Sequence, residues 1–258
     1  MNRLLGTVGR ALSRFIEKPL KGYQSFSTTT PERLRRTLRP CDVLLVEGNS
    51  RVASAIKYLT NSTWSHVAFY AGGDDPDTQM IEADLQEGVR AVPVSHFAHL
   101  NTRICRPIGL TPEDEAQIIA FMRGSIGKTY DLKNIFDLLR YLLPNPPVPA
   151  RFRRKMLELG SGDPTRAICS TLIAEAFQSV RYPILPVLTE DCDAGQVREI
   201  LSIRHHSLFA PRDFDLSPYF RIVKPTIEYG FDYRTLTWSD RPPGPDALPS
   251  EPDRSAAT

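Results

Sequence analysis

Trp64-Ser65-His66-Val67-Ala68-Phe69-Tyr70 is the stretch on which the reading of this chain turns. Aromatic and β-branched residues dominate it, and Gly72-Gly73-Asp74-Asp75-Pro76 closes it, the pattern of a strand ended by a turn. Alternation places Trp64, His66, Ala68 and Tyr70 on one face and Ser65, Val67 and Phe69 on the other. A histidine in such a strand is costly unless its ring nitrogens are paired. His66 is therefore either a satisfied core histidine or one member of a polar constellation.

On the N-terminal side, Asp42-Val43-Leu44-Leu45-Val46 is a second strand, closed by Glu47-Gly48-Asn49-Ser50, and Arg51 to Leu59 has a helical pattern. On the C-terminal side, Met80-Ile81-Glu82-Ala83-Asp84 is a third strand and Gly88 to Val94 a fourth. Strands this close together, joined by turn residues, predict an antiparallel sheet, and the helices around them make the class α+β. Glu82 lies between Ile81 and Ala83, where a carboxylate is out of place unless something cationic faces it. Asp84, two residues on, shares its face and competes for the same role; a carboxylate on a wet edge strand is the simpler alternative.

Further along, Thr111-Pro112-Glu113-Asp114-Glu115 starts a helix, with proline and acids in its first turn, that should run to about Arg123. Gly127-Lys128-Thr129-Tyr130-Asp131 makes a turn. An apolar helix follows to Leu143, where Pro144, Pro146, Pro147 and Pro149 break it ahead of the basic Arg151, Arg153, Arg154 and Lys155. Pro164-Thr165-Arg166-Ala167-Ile168-Cys169-Ser170-Thr171 then leads into the apolar helix Leu172 to Phe177. Cys169 falls in its first turn, where free N–H groups and the positive dipole end favour a thiolate. Cys169 is thus a candidate nucleophile, or else a buried structural cysteine.

The rest of the sequence sets bounds. The 258 residues, 41% hydrophobic and 24% charged, describe an ordinary globular chain with no apolar run of membrane-spanning length. Cys41, Cys105, Cys169 and Cys192 form no CxxC pair, which favours reduced thiols. The net charge of +2 conceals a basic arm: residues 1–40 hold nine Lys/Arg and two acids, a net of +7, so the remainder carries −5. Leu4, Leu5, Val8, Ala11, Leu12, Phe15 and Ile16 form an apolar stripe that arginines interrupt, unlike a secretory signal. That stripe either lies on an anionic membrane surface or packs on the protein's own body. Residues 236–258 read as a disordered Pro-rich tail, residues 1–37 as the arm, and residues 38–235 as the domain between them. No phosphate-binding glycine loop or nucleic-acid signature is present. His66, Glu82 and Cys169 could together hold zinc, but their spacing fits no compact metal motif and His96, His99, His205 and His206 offer no defensible fourth ligand. No metal and no cofactor are expected.

Taken in order, Asp42 to Gly48, Thr63 to Tyr70, Ile81-Glu82-Ala83 and Ile168-Cys169-Ser170-Thr171-Leu172-Ile173 resemble the permuted papain-like cysteine hydrolases, the YiiX/YebB-like branch of the NlpC-type superfamily, some of whose members are labelled "lipo-like". The resemblance spans roughly Arg39 to Tyr233. In that branch the order is His, carboxylate, Cys. It implies Cys169 as nucleophile, His66 as general base and acid, Glu82 as the group orienting the imidazole, and a sheet packed beside the helix that carries the cysteine. Tyr130 matches a Tyr-Asp pair common in these chains and, with Ser170, is assigned to the pocket wall or the oxyanion site. One departure is Cys41, which stands where the family usually has glycine. The implied activity is hydrolysis of an amide or related acyl bond through a thioester. A lipid acyl hydrolase or acyltransferase at a membrane surface is the alternative, and a non-catalytic lipid- or peptide-binding module is the second. The expected location is the cytoplasm, including the inner face of the membrane, with an acyl or amide substrate and no nucleic-acid partner.

Overall fold

Local sequence rules account for the helix starts. Thr30 caps α1 (Pro31–Thr37) by accepting from Arg33 N, with proline in the first turn. Ser50 caps α2 (Arg51–Thr60) through Ala53 N. Thr111 and Asp114 form a reciprocal capping box on α3 (Pro112–Gly124). The strands are β1 (Val43–Glu47), β2 (His66–Tyr70), β3 (Met80–Asp84), β4 (Gly88–Val92), β5 (Asn101–Pro107), β6 (Val187–Asp193), β7 (Gln196–Ser202) and β8 (Phe220–Val223). Among the described residues, helices α4 (Ile168–Ser179), α5 (Pro211–Leu216) and α6 (Pro225–Glu228) follow. The computed structural model describes residues 27, 29–75, 79–84, 87–129, 168–193, 196–202, 204–228 and 230–235. Tyr130, the apolar helix expected to reach Leu143, the segment from Pro144 to Lys155, the arm over residues 1–26 and the tail over 236–258 lie outside the described residues.

Six strands form one antiparallel sheet in the order β4-β3-β2-β1-β5-β8, and β6 and β7 form a separate hairpin. This is the antiparallel α+β architecture expected of the permuted papain-like fold. Period-two alternation sorts the core into two layers. Val43, Leu45, Val67, Phe69 and Ile81 pack with Leu172, Ile173, Ala176 and Phe177 of α4 and with Ile118 and Met122 of α3. Leu44, Val46, Ala68, Tyr70 and Met80 pack with Leu34 and Leu38, and with Val94 and Phe97 of a 3-10 turn. Residues 31–37, read from the sequence as the end of the arm, therefore carry a buried Leu34 onto the sheet.

The sequence pattern does not announce β5, β6, β7 or β8. β5 holds Asn101, Thr102, Arg103 and Arg106, and so polar a stretch does not look like an interior strand. Distant partners resolve it: Arg103 pairs with Asp215 (2.8 Å), and Arg106 pairs with Asp42 through two bonds of 2.7 and 2.8 Å.

The pairing of β2 with β3 positions the site. β1 and β2 are in register over four residue pairs and β3 and β4 over five, whereas β2 and β3 share only Phe69↔Ile81 and Tyr70↔Met80. Toward His66 and Val67 the two strands part, and this opening is where α4 delivers Cys169. Cys41 explains the family's glycine. Its φ is +67°, in the left-handed region that side chains disfavour, and its N–H donates to the Tyr70 carbonyl.

Candidate active site

The site grows from the first turn of α4. Cys169 is the second residue of this helix, so the N–H groups around it have no intrahelical partner and the dipole is positive there. The buried Ser170 hydroxyl donates to the Phe209 carbonyl (2.6 Å), which ties the turn to the segment before α5. Ser170 thus turns its side chain to the scaffold, and its backbone N–H faces the Cys169 sulfur. The Val67 N–H, on the stretch of β2 that β3 does not pair, also faces this sulfur.

His66 stands at the first position of β2. Its Nε2 lies 2.7 Å from Glu82 Oε2, leaving Nδ1 as the nitrogen on the Cys169 side. Glu82 is almost wholly buried, with 4% of its side chain exposed, while His66 keeps 26%. Three side chains singled out from the sequence, on β2, β3 and α4, therefore meet at one point. Asp84 does not join them: it accepts from the Glu87 N–H (2.9 Å) in the β3–β4 turn and lies 3.5 Å from Arg90.

The electrostatics follow from this layout. Burial opposes a charged Cys169, but the His66 imidazolium and the N–H groups of Val67 and Ser170 outweigh it and hold the thiol below its ordinary value. Burial equally opposes a charged His66; the Cys169 thiolate and then Glu82 reverse this and hold the imidazole well above 6.5. Burial would raise Glu82, and His66, Arg90 and His96 bring it down to about 2. The other described thiols behave oppositely, since burial pushes Cys41 up to about 12 and raises Cys105 further.

Two residues at the site were not singled out in the sequence. Arg90 on β4 donates Nε (2.9 Å) and Nη2 (2.7 Å) to Glu82 Oε1, and His96 Nε2 lies 3.5 Å from the same oxygen. A signal for Arg90 was present: a hairpin joining the third and fourth strands puts it directly opposite Glu82, as the register shows. His96 comes from the 3-10 turn, whose direction the sequence does not give. Among the described residues no group of three His, Cys, Asp or Glu is arranged to hold a metal ion.

A sheet parted between β2 and β3, with histidine and carboxylate on the parted strands and the cysteine on a helix beside them, is the layout that the resemblance implies. Residues 37–139 match the family described as permuted papain-like amidase enzyme, YaeF/YiiX, C92 family, which bears out the resemblance read from the sequence. That stretch includes His66, Glu82 and Arg90, and Cys169 lies beyond it. At this coarse level the match supports a cysteine hydrolase of the amidase kind. Among solved structures, the chain is similar to the metalloprotein yiiX from Escherichia coli O157:H7, with 14% identity and a TM-score of 0.39 over 72% of this chain and 96% of that one. The search of curated proteins gave no match. No helix of the described residues is long and apolar enough to cross a membrane.

Proposed function

We propose that the protein cleaves an amide or related acyl bond with Cys169 as nucleophile, His66 as general base and acid, and Glu82 as the group that orients the imidazole. The observation that carries this reading is the His66 ring, with one nitrogen on Glu82 at 2.7 Å and the other toward Cys169. In this reading the resting state is a thiolate–imidazolium pair. The thiolate attacks the substrate carbonyl, and N–H groups at the start of α4 stabilise the oxyanion. His66 returns its proton to the leaving amine. Water, deprotonated by His66, then hydrolyses the thioester and restores the thiolate–imidazolium pair.

The test is alkylation by iodoacetamide near neutral pH with mapping of the modified residue, alongside acyl-amide and lipid-ester activity probes. Cys169 is expected to react well ahead of Cys41, Cys105 and Cys192, because thiolate fraction governs the rate. Labelling at Cys169 that is no faster than at the other three overturns the assignment. Between the probes, capture of the amide rather than the lipid ester is the expected result.

A further inference from the structure

We propose that Arg90 is a positioning residue, a fourth member of the site that fixes the Glu82 carboxylate and so sustains the Cys169–His66 ion pair. The inference rests on the Cys-His-Glu reading above and adds to it a charge requirement and a geometric one.

The charge requirement comes from burial. A thiolate at Cys169, an imidazolium at His66 and a carboxylate at Glu82 leave one uncompensated negative charge, and an unpaired buried charge is expensive enough to neutralise itself by taking a proton. Arg90 supplies the missing positive charge. It remains cationic at any working pH and grips Oε1 with two nitrogens. His96 does not replace it: burial, together with the nearby Arg90, His66 and His99, keeps its imidazole below its ordinary value despite Glu82, and its contact is the longer one at 3.5 Å.

The geometric requirement comes from the parted strands. β2 and β3 are unpaired where His66 sits, so no ladder fixes Glu82 relative to the imidazole. β3 is instead in register with β4 through Glu82↔Arg90, and the guanidinium binds one carboxylate oxygen and leaves the other for His66. On its outer side Arg90 is held by Glu87 (2.8 Å) and Asp84 (3.5 Å). The charged and titratable groups around Glu82 are thus His66 from β2, Arg90 from β4, His96 from the 3-10 turn with His99 beyond it, Asp84 and Glu87 at the hairpin turn, and Cys169 from α4.

Loss of Arg90 acts on the thiol in one direction by both routes. Removing the positive charge that offsets Glu82 makes the thiolate harder to form, and freeing Glu82 weakens its support of the imidazolium. The experiment is the pH dependence of Cys169 alkylation by iodoacetamide in the full chain, with thiolate absorbance as a second readout. Arg90→Met is expected to move the thiolate midpoint up by at least about one pH unit, slowing alkylation about tenfold below the midpoint. Arg90→Lys retains the charge without the two-nitrogen grip and should shift the midpoint in the same direction by less; if Arg90→Met does not fold, Arg90→Lys carries the test. A wild-type midpoint that is depressed and unchanged in the folded variants overturns the role of Arg90 while leaving the Cys-His-Glu reading intact. A wild-type Cys169 with an ordinary midpoint overturns both.

Discussion

Two buried carboxylates, one on the sheet and one at its border, are clamped by arginine, and they are put to different uses. Asp42, just ahead of β1, is fully buried and has both oxygens taken: Arg106 Nε binds Oδ1, while Arg106 Nη2 and the Arg39 N–H bind Oδ2. The same guanidinium donates to the Thr37 carbonyl at the end of α1 (2.7 Å), so this pair joins α1, β1 and β5. Glu82 gives only one oxygen to its arginine and the other to His66. The protonation behaviour diverges accordingly. For Asp42, burial outweighs Arg106 and raises the carboxyl above its ordinary value; for Glu82, burial yields to His66, Arg90 and His96, and the carboxyl falls to about 2. A saturated carboxylate holds a fold together, and one with an oxygen to spare can hold a catalytic ring.

The largest expected effect falls on the unsaturated pair. Glu82→Gln should lower turnover by about four orders of magnitude, the scale seen when the third member of a triad loses its charge, while the protein still unfolds cooperatively. Asp84→Asn should cost far less in the same assay, and the reverse ranking would assign the orienting role to Asp84. Next in size is Asp42→Ala, which strands a buried guanidinium. Denaturant unfolding should show a loss of about 3–5 kcal/mol, with the pH midpoint of Cys169 alkylation unmoved in the folded variant. A shifted midpoint would mean the two pairs are coupled and the contrast between them false.

The smallest effect is in acid. A carboxyl held at about 2 against an ordinary 4.5 contributes stability that is complete above about pH 4.5 and is lost as pH falls toward 2. Asp42, raised rather than lowered, works the other way: its ionisation costs stability as pH rises through its folded value. Acid unfolding followed by circular dichroism should therefore show a weaker pH dependence below 4.5 in Glu82→Gln than in the wild type. Identical acid profiles would indicate that the Glu82 network is not formed in solution.

Much of this arrangement could be read from the chain because it rests on local patterns. The strand around His66, the turn at Gly72-Gly73, the hairpin strands carrying Glu82 and the helix start at Cys169 each announce themselves within ten residues or so. The unusual placement of Glu82 between apolar neighbours even called for a cation. Of the unread parts, β5 and β8 depend on long-range pairing, whereas the β6–β7 hairpin is local. β5 looks polar until Asp42 and Asp215 are brought to its arginines, and β8 is a four-residue strand that, among the described residues, ladders only with β5. Cys41 could be flagged as standing in a glycine position, but its positive φ belongs to the folded backbone alone.

The short ladder between β2 and β3 has one more consequence. Two strands joined at one end and parted at the other behave like the arms of a pair of tongs, and the bond from His66 to Glu82 spans the open end. The contact that would steer a proton is therefore also the clasp that keeps the arms at their working distance. In the proposed reaction, proton steering and strand closure would share this one hydrogen bond, so widening the gap beside Cys169 would also release the imidazole.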